Sequence, residues 1–214
     1  MAVTASKQQV ELREVVLRNK PEQMLSASPK GTVPVLVLGE NSVLEESLDI
    51  MLWALRTNDP HQWLSPEIGS EQEMLDLIEK IDGEFKAHLD AYKYAPRKVE
   101  EGSEVQREAH SHRDKALAIL AEELETRLLK HNYLFGNRIS LADVAIAPFV
   151  RQFANTDIDW FKDQPNAVLI SWLDGFVTSD LFASVMPKFE PWAEGQNPIF
   201  FPQEATSEEL SIQN

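Results

Sequence analysis

A small mixed α/β domain followed by an all-helical domain is the fold class this sequence predicts, on three observations. Strand-like and helix-like segments alternate up to about residue 60, whereas the remainder repeats its apolar residues at the 3.6 spacing of helices. A turn-type cluster, Asn58-Asp59-Pro60, ends a helical run where the pattern changes. Charge shifts there too: residues 1–60 hold 6 Lys and Arg against 8 Asp and Glu, and residues 61–214 hold 14 against 27. Domains are expected at 1–60 and 61–202, with 203–214 an acidic, polar and loosely held tail.

In the first part, Val10 to Arg18 is β-rich, with Val10, Leu12 and Val16 able to share a face. Asn19-Lys20-Pro21 starts a short helix, Pro21 to about Ala27, because proline is tolerated in a first turn where its missing N–H costs nothing. Thr32 to Leu38 is a short apolar run. Gly39-Glu40-Asn41-Ser42 has hairpin-turn composition, and Ser42 to Leu44 is the return strand. Ser47 opens a helix whose Ile50, Met51, Ala54 and Leu55 follow the helical period. The order is strand, helix, strand, strand, helix.

The second part is helical. Met74, Ile78, Ile81, Phe85 and Leu89 hold one face until Tyr94–Gly102 interrupts it, and Leu117, Leu120, Leu124 and Leu128 mark a second long helix. After a break at His131–Asn137, Ser140 can cap free backbone N–H groups. Asp143 stands three residues on as in a capping box, and Ile139 with Val144 makes a hydrophobic staple. Pro148 should kink that helix or demand a compensating contact. A last helix runs from about Pro165 to Ser179, with Val168, Leu169, Trp172, Leu173 and Phe176 inward.

Composition narrows the chemistry. The 214 residues include no cysteine, which removes disulfides, thiolate nucleophiles, Cys-based zinc sites and iron–sulfur clusters. A formal charge of −15 argues against phosphate-driven nucleic-acid binding, which needs clustered Lys and Arg. Neither a signal-peptide pattern nor an apolar run of about 18 residues is present, so no membrane partner is expected and a cytoplasmic location is the default. His110 and His112 are two apart and point different ways on a helix, a poor metal pair, so no metal is expected. Tyr92, Tyr94 and Tyr133 lack a visible base, and the five tryptophans read as packing residues.

Three features of the first part belong together. Val33-Pro34 begins a strand, where proline is unusual unless its missing N–H faces a site or its peptide is cis. Glu46-Ser47 stands at a helix start, whose free N–H groups and hydroxyl suit a carboxylate. Lys20 offers a cation just before another helix. Taken singly these are a loop-to-strand junction, an ordinary cap and a surface charge. Together they suit an extended small peptide charged at both ends.

In this order the residues resemble the cytosolic glutathione transferase superfamily. The run LRNKPEQMLSASPKGTVPVL followed by VLEESLDI looks like its omega-like branch, and LFGNRISLADVAIAPF is similar to the capping-box segment of its helical domain. The resemblance covers about Gln9 to Pro191. It implies a thioredoxin-like N-terminal domain and an all-helical glutathione-transferase C-terminal domain, with glutathione as substrate and a homodimer. It further implies that Pro34 is cis and that the Val33 main chain pairs with the cysteinyl part of glutathione. Glu46 and Ser47 would hold the γ-glutamyl end, and Lys20 would approach the glycyl carboxylate.

The resemblance also marks a departure. In the family a strand and a turn bearing Cys, Ser or Tyr precede the first helix, whereas Met1 aligns inside that helix. The N-terminal domain is therefore expected as a truncated thioredoxin-like domain, and its catalytic residue is unknown. The strand not found here normally lies between the Val10–Arg18 strand and the one containing Val35. Something must fill that place, because each buried unsatisfied main-chain group costs about 1–3 kcal/mol. A free thiol of pKa about 8.5 is mostly protonated at pH 7, so binding and catalysis separate. Two functions remain: conjugation of glutathione to a small electrophile, or reduction of a small electrophile or disulfide with it; and, as the alternative, a non-catalytic protein-interaction module whose acidic helical domain meets a basic partner.

Overall fold

The computed structural model describes residues 1–39, 42–96, 100 and 102–203. The described residues form two compact units, Met1–His61 together with 183–203, and Gln62–Phe182. The return of the C-terminal part to the first unit differs from the sequence division, which assigns all of 61–202 to the helical domain. The reason is a strand, β4 (Ile199–Phe201), that pairs antiparallel with β1 (Val10–Leu12), Val10 facing Phe201 and Leu12 facing Ile199. The expected tail lies, apart from Gln203, outside the described residues.

The first unit opens with α1 (Ala2–Ala5), which packs on α3 (Ser47–Thr57). The Asn58 side chain closes this contact by donating to the Ser6 carbonyl at 2.9 Å. Strand β1 is shorter than the Val10–Arg18 expected, because only its first three residues find a ladder partner; Val16 makes an isolated bridge to Asn19. Helix α2 is Glu22–Ala27. Strands β2 (Leu36–Gly39) and β3 (Ser42–Leu44) form an antiparallel hairpin with Leu36 opposite Leu44, and residues 40 and 41 of the expected turn lie outside the described residues. Beyond β4, the C-terminal segment is fastened by the Trp192 N–H, which donates to the Glu14 carbonyl at 2.8 Å, and by the Arg13 guanidinium, 4.7 Å from the Trp192 ring centre.

The two sheets stay separate, each of two strands. Among the described residues no strand joins β1 to the hairpin. The space beside them is a cavity of about 600 Å³ whose lining includes Val10, Leu12, Met24, Val35, Leu36 and Ile50.

The second unit is a helical bundle. Its long helices are α4 (Glu71–Lys80) continuing through a π turn, Ile81–Phe85, into α5 (Lys86–Lys93), and α6 (Glu104–Leu120) continuing through a π turn, Ala121–Glu125, into α7 (Thr126–Leu128). The first has the apolar face read from sequence, with Met74, Ile81, Phe85 and Leu89 fully buried. Lys80 reaches Glu123 at 2.6 Å across the two. Of the expected Tyr94–Gly102 interruption, residues 97–99 and 101 lie outside the described residues.

Helix α8 (Leu141–Ala154) is the centre of this unit, with Leu141, Ala142, Ile146, Ala147 and Val150 fully buried. The capping box is formed, the Ser140 side chain accepting from the Asp143 N–H and Asp143 accepting from the Ser140 N–H at 3.0 Å; Asp143 also accepts from the Ser140 hydroxyl at 2.7 Å. The same carboxylate accepts from the Leu134 N–H and the Trp172 indole, each at 3.0 Å. The helix continues through Pro148, which lies on its exposed side. Preceding residues are pinned by Glu67, which accepts from the Asn137 and Arg138 N–H groups at 2.5 and 3.1 Å. Gly136, at φ +130°, is required here, since a β-carbon would lie 2.5 Å from the Glu67 carboxylate. The unit's last helices are α9 (Ile158–Lys162) and α10 (Ala167–Val177); α11 (Asp180–Ser184) follows and runs across the division between the units. Among the described residues no helix is long and apolar enough to cross a membrane.

Candidate functional site

The residues singled out in the first unit cluster around one loop. Helix α2 ends at Ser28, and the chain turns back through Gly31, whose N–H donates to the Ser28 carbonyl at 2.9 Å. Gly31 holds φ +62°, a conformation glycine adopts without penalty. Lys20 lies against this turn: a β-carbon on Gly31 would be 3.9 Å from the Lys20 Nζ. The next segment carries Val33 and a cis Val33-Pro34 peptide. Val33 is 45% exposed, and its main chain makes no hydrogen bond among the described residues. Val33 and Pro34 both line the 600 Å³ cavity.

Glu46 is the N-cap of α3 and Ser47 its first residue. Among the described residues no side chain caps this end, so the first-turn N–H groups remain available to an anion. The Glu46 carboxylate is held by the Lys30 ammonium, which belongs to the turn just described. One residue earlier, Glu45 accepts from the hydroxyl of Ser28, a fully buried serine. Ser28 and Lys30 thus fasten the turn to consecutive residues in front of α3. Lys30 has its pKa raised, first by its hydrogen bond to Glu46 and then by the charges of Glu46, Glu45 and Asp49.

The structure therefore brings Lys20 and Glu46 to one loop, through Gly31 and Lys30, with Val33-Pro34 leading out of it. Ser28, Glu45 and Lys30 were not singled out from the sequence. The Pro-Lys-Gly run before Val33 was visible, but nothing local says which carboxylate a surface lysine will choose. Chemically, the cluster offers an unpaired main chain to an extended peptide, a carboxylate to an ammonium, and a helix start with two lysines to carboxylates.

Other candidates lie in the helical unit. Tyr133 lines a cavity of about 550 Å³ with Trp172 and Phe176. Burial, then the charge of Asp157, pushes the Tyr92 hydroxyl up, the wrong direction for easy ionisation at neutral pH. Tyr94 is 73% exposed. His112 is partnered: its Nδ1 lies 2.8 Å from the Nδ1 of His88. Among the described residues no three His, Asp or Glu side chains gather to hold a metal ion.

A short α/β unit with a cis-proline before its hairpin, joined in sequence to a bundle built on a capping-box helix, defines the class: a thioredoxin-like domain followed by a helical domain. The family model for the N-terminal domain of glutathione S-transferase matches residues 1–62, and that for the C-terminal domain matches residues 97–175. Together they span more than half of the chain, which belongs to the cytosolic glutathione transferase superfamily.

Solved structures agree on the fold. The ternary complex of BphK, a bacterial glutathione transferase, is 20% identical with a TM-score of 0.67, over 86% of this chain and 88% of that one. Glutathione S-transferase-I bound with lactoylglutathione is 23% identical with a TM-score of 0.66, over 85% and 88%. A glutathione transferase homologue from Sulfitobacter with bound glutathione is 16% identical with a TM-score of 0.59, over 77% of each chain. No curated protein sequence matches the chain.

Proposed function

We propose that the α/β unit binds glutathione in the omega-like manner and that the protein conjugates it to a small electrophile or uses it to reduce an electrophile or disulfide. The observation that carries this reading is the unpaired main chain of Val33, an exposed residue, on one loop with Glu46 and the uncapped start of α3. An extended tripeptide pairs its cysteinyl N–H and C=O with Val33 as an added strand. Its α-ammonium meets the Glu46 carboxylate. Its α-carboxylate meets the Ser47 hydroxyl and first-turn N–H groups of α3, where the helix dipole favours negative charge. The glycyl carboxylate meets Lys20.

The ligand supplies the thiol, as the chain has no cysteine. Its thiolate would attack the electrophilic carbon of a substrate, forming the C–S bond while the leaving group departs with the electron pair. At pH 7 a thiol of pKa about 8.5 is only a few per cent ionised, so the rate depends on a donor that stabilises the thiolate. A protein of this class is expected to work as a homodimer in the cytoplasm.

Titration calorimetry tests the binding reading directly. Wild type is expected to bind glutathione, and Glu46→Ala to bind it at least about tenfold more weakly, as loss of a charge-assisted hydrogen bond predicts. No heat from wild type at millimolar glutathione would sink the reading. Turnover of a chloro-dinitro aromatic substrate then separates the two functions: binding without turnover favours the interaction-module alternative, for which the charge of residues 61–214 is the supporting observation.

A further inference from the structure

From the Lys30–Glu46 contact we infer that Lys30 is a further ligand-holding residue, which exchanges the Glu46 carboxylate for the α-carboxylate of the bound γ-glutamyl group and so selects ligands with a free α-amino acid end; this rests on the glutathione reading above.

The Lys30 ammonium sits on Glu46, the group assigned to the ligand's ammonium. Two cations cannot share one carboxylate at full strength, so ligand binding must release Lys30. Release is cheap, because the lysine and glutamate side chains are 54% and 62% exposed and such pairs contribute little in water. The backbone of Lys30 does not travel with its side chain. The turn is held by the Gly31-to-Ser28 hydrogen bond and by the buried Ser28 hydroxyl on Glu45. The freed ammonium therefore stays within a lysine stem's reach of the α3 start, where the ligand carboxylate is assigned.

An α-amino acid end carries its two charges on one carbon. A carboxylate, the ligand ammonium, the ligand carboxylate and Lys30 then form an alternating row. Electrostatics favour the exchange. Glu45, Glu46 and Asp49 make this corner acidic, and glutathione arrives with a net negative charge. Lys30 already stands among these carboxylates, its hydrogen bond to Glu46 and then their charges raising its pKa, so it is positioned to meet an entering carboxylate. A carboxylate entering beside it finds the field of those acids offset. Lys20, beside Gly31, is left for the other end of the peptide.

The test uses the whole chain and calorimetry with two probes, glutathione and γ-aminobutyryl-cysteinyl-glycine, which keeps the ammonium and lacks the α-carboxylate. Lys30→Gln is expected to weaken glutathione binding by about three- to tenfold at low salt, with a shallower salt dependence than wild type. It should leave the second probe's affinity unchanged within about twofold, and Lys30→Arg should restore glutathione binding. Glu46→Gln serves as the control for the site. If Glu46→Gln weakens glutathione binding but Lys30→Gln leaves it unchanged or tightens it, the role of Lys30 is overturned and the site stands. Equal loss for both probes in Lys30→Gln also overturns it, since the lysine then acts only through its distant charge. If wild type binds neither probe, the glutathione reading itself fails and this inference with it.

Discussion

Asp143 shows how much one side chain can decide. It is fully buried, and burial pushes its carboxyl up against the opposing pull of the N–H, O–H and indole groups that donate to it. Asp143→Ala would strand those donors in the core, each at about 1–3 kcal/mol. The expected loss is therefore about 3 kcal/mol or more, read by urea unfolding; a change below about 1 kcal/mol would mean that water replaces the carboxylate. His88 tells a different story. Its ring centre is 5.0 Å from that of His112 with the two Nδ1 atoms 2.8 Å apart, so one imidazole donates and the other accepts. Burial, then His112 and Lys115, holds its pKa below the ordinary value, with Glu84 opposing. The unfolded chain titrates near pH 6.5, so below that pH it holds more protons than the folded one. The contribution is complete above about pH 6.5 and lost as the pH falls through the folded value. The melting temperature should drop between pH 7 and 5.5, and drop less in His88→Gln.

At the scale of elements, what was legible in the sequence is what depends on near neighbours. The capping box at Ser140, the apolar face from Met74 to Leu89 and the start of α3 rest on spacings of three or four residues, and they form as read. The two strands of the expected hairpin, Leu36–Gly39 and Ser42–Leu44, pair as well. Three features escaped because their partners are far away in sequence. Strand β4 is a three-residue run, Ile199–Phe201, whose partner is Val10–Leu12. The His88–His112 pair spans two helices, and Lys30 chooses Glu46 across a turn. The expected Val10–Arg18 strand was too long because β propensity outlasts the available ladder. Strand pairing makes its own prediction. The Trp192 ring stacks under Arg13, while its main-chain N–H, which any substitution but proline keeps, donates to Glu14; Trp192→Ala therefore removes the ring contact alone and should raise the protease sensitivity of the C-terminal segment while the helical unit keeps its resistance. Unchanged cleavage would show that β4 and the main-chain bond to Glu14 hold the segment without the ring.

For the whole molecule, the two units are built on very different cores. Among the described residues of the first unit, only Ala2, Ala5, Ala54 and Leu55 are apolar and buried, whereas the helical unit buries Met74, Ile81, Phe85, Leu120, Leu124, Phe153 and many more. Local stability follows buried apolar contact. Amides of β1 to β3 are therefore expected to exchange with solvent at least about tenfold faster than those of α8, measured by hydrogen exchange. Saturating glutathione should slow exchange at the start of α3. Equal rates in both units would contradict this picture.

The separateness of the two small sheets has one more consequence, and it concerns many copies of the chain together. Strand β2 is hydrogen-bonded on one side only among the described residues, and its Val37 and Leu38 are 54% and 38% exposed. An open strand of this kind is a template for pairing with another chain. A charge of −15 keeps copies apart, but only over the roughly 10 Å that 0.1 M salt allows. Light scattering should rise with ionic strength and be suppressed in Val37→Lys. The protein's colloidal stability thus sets its long-range charge against bare strand edges such as that of β2.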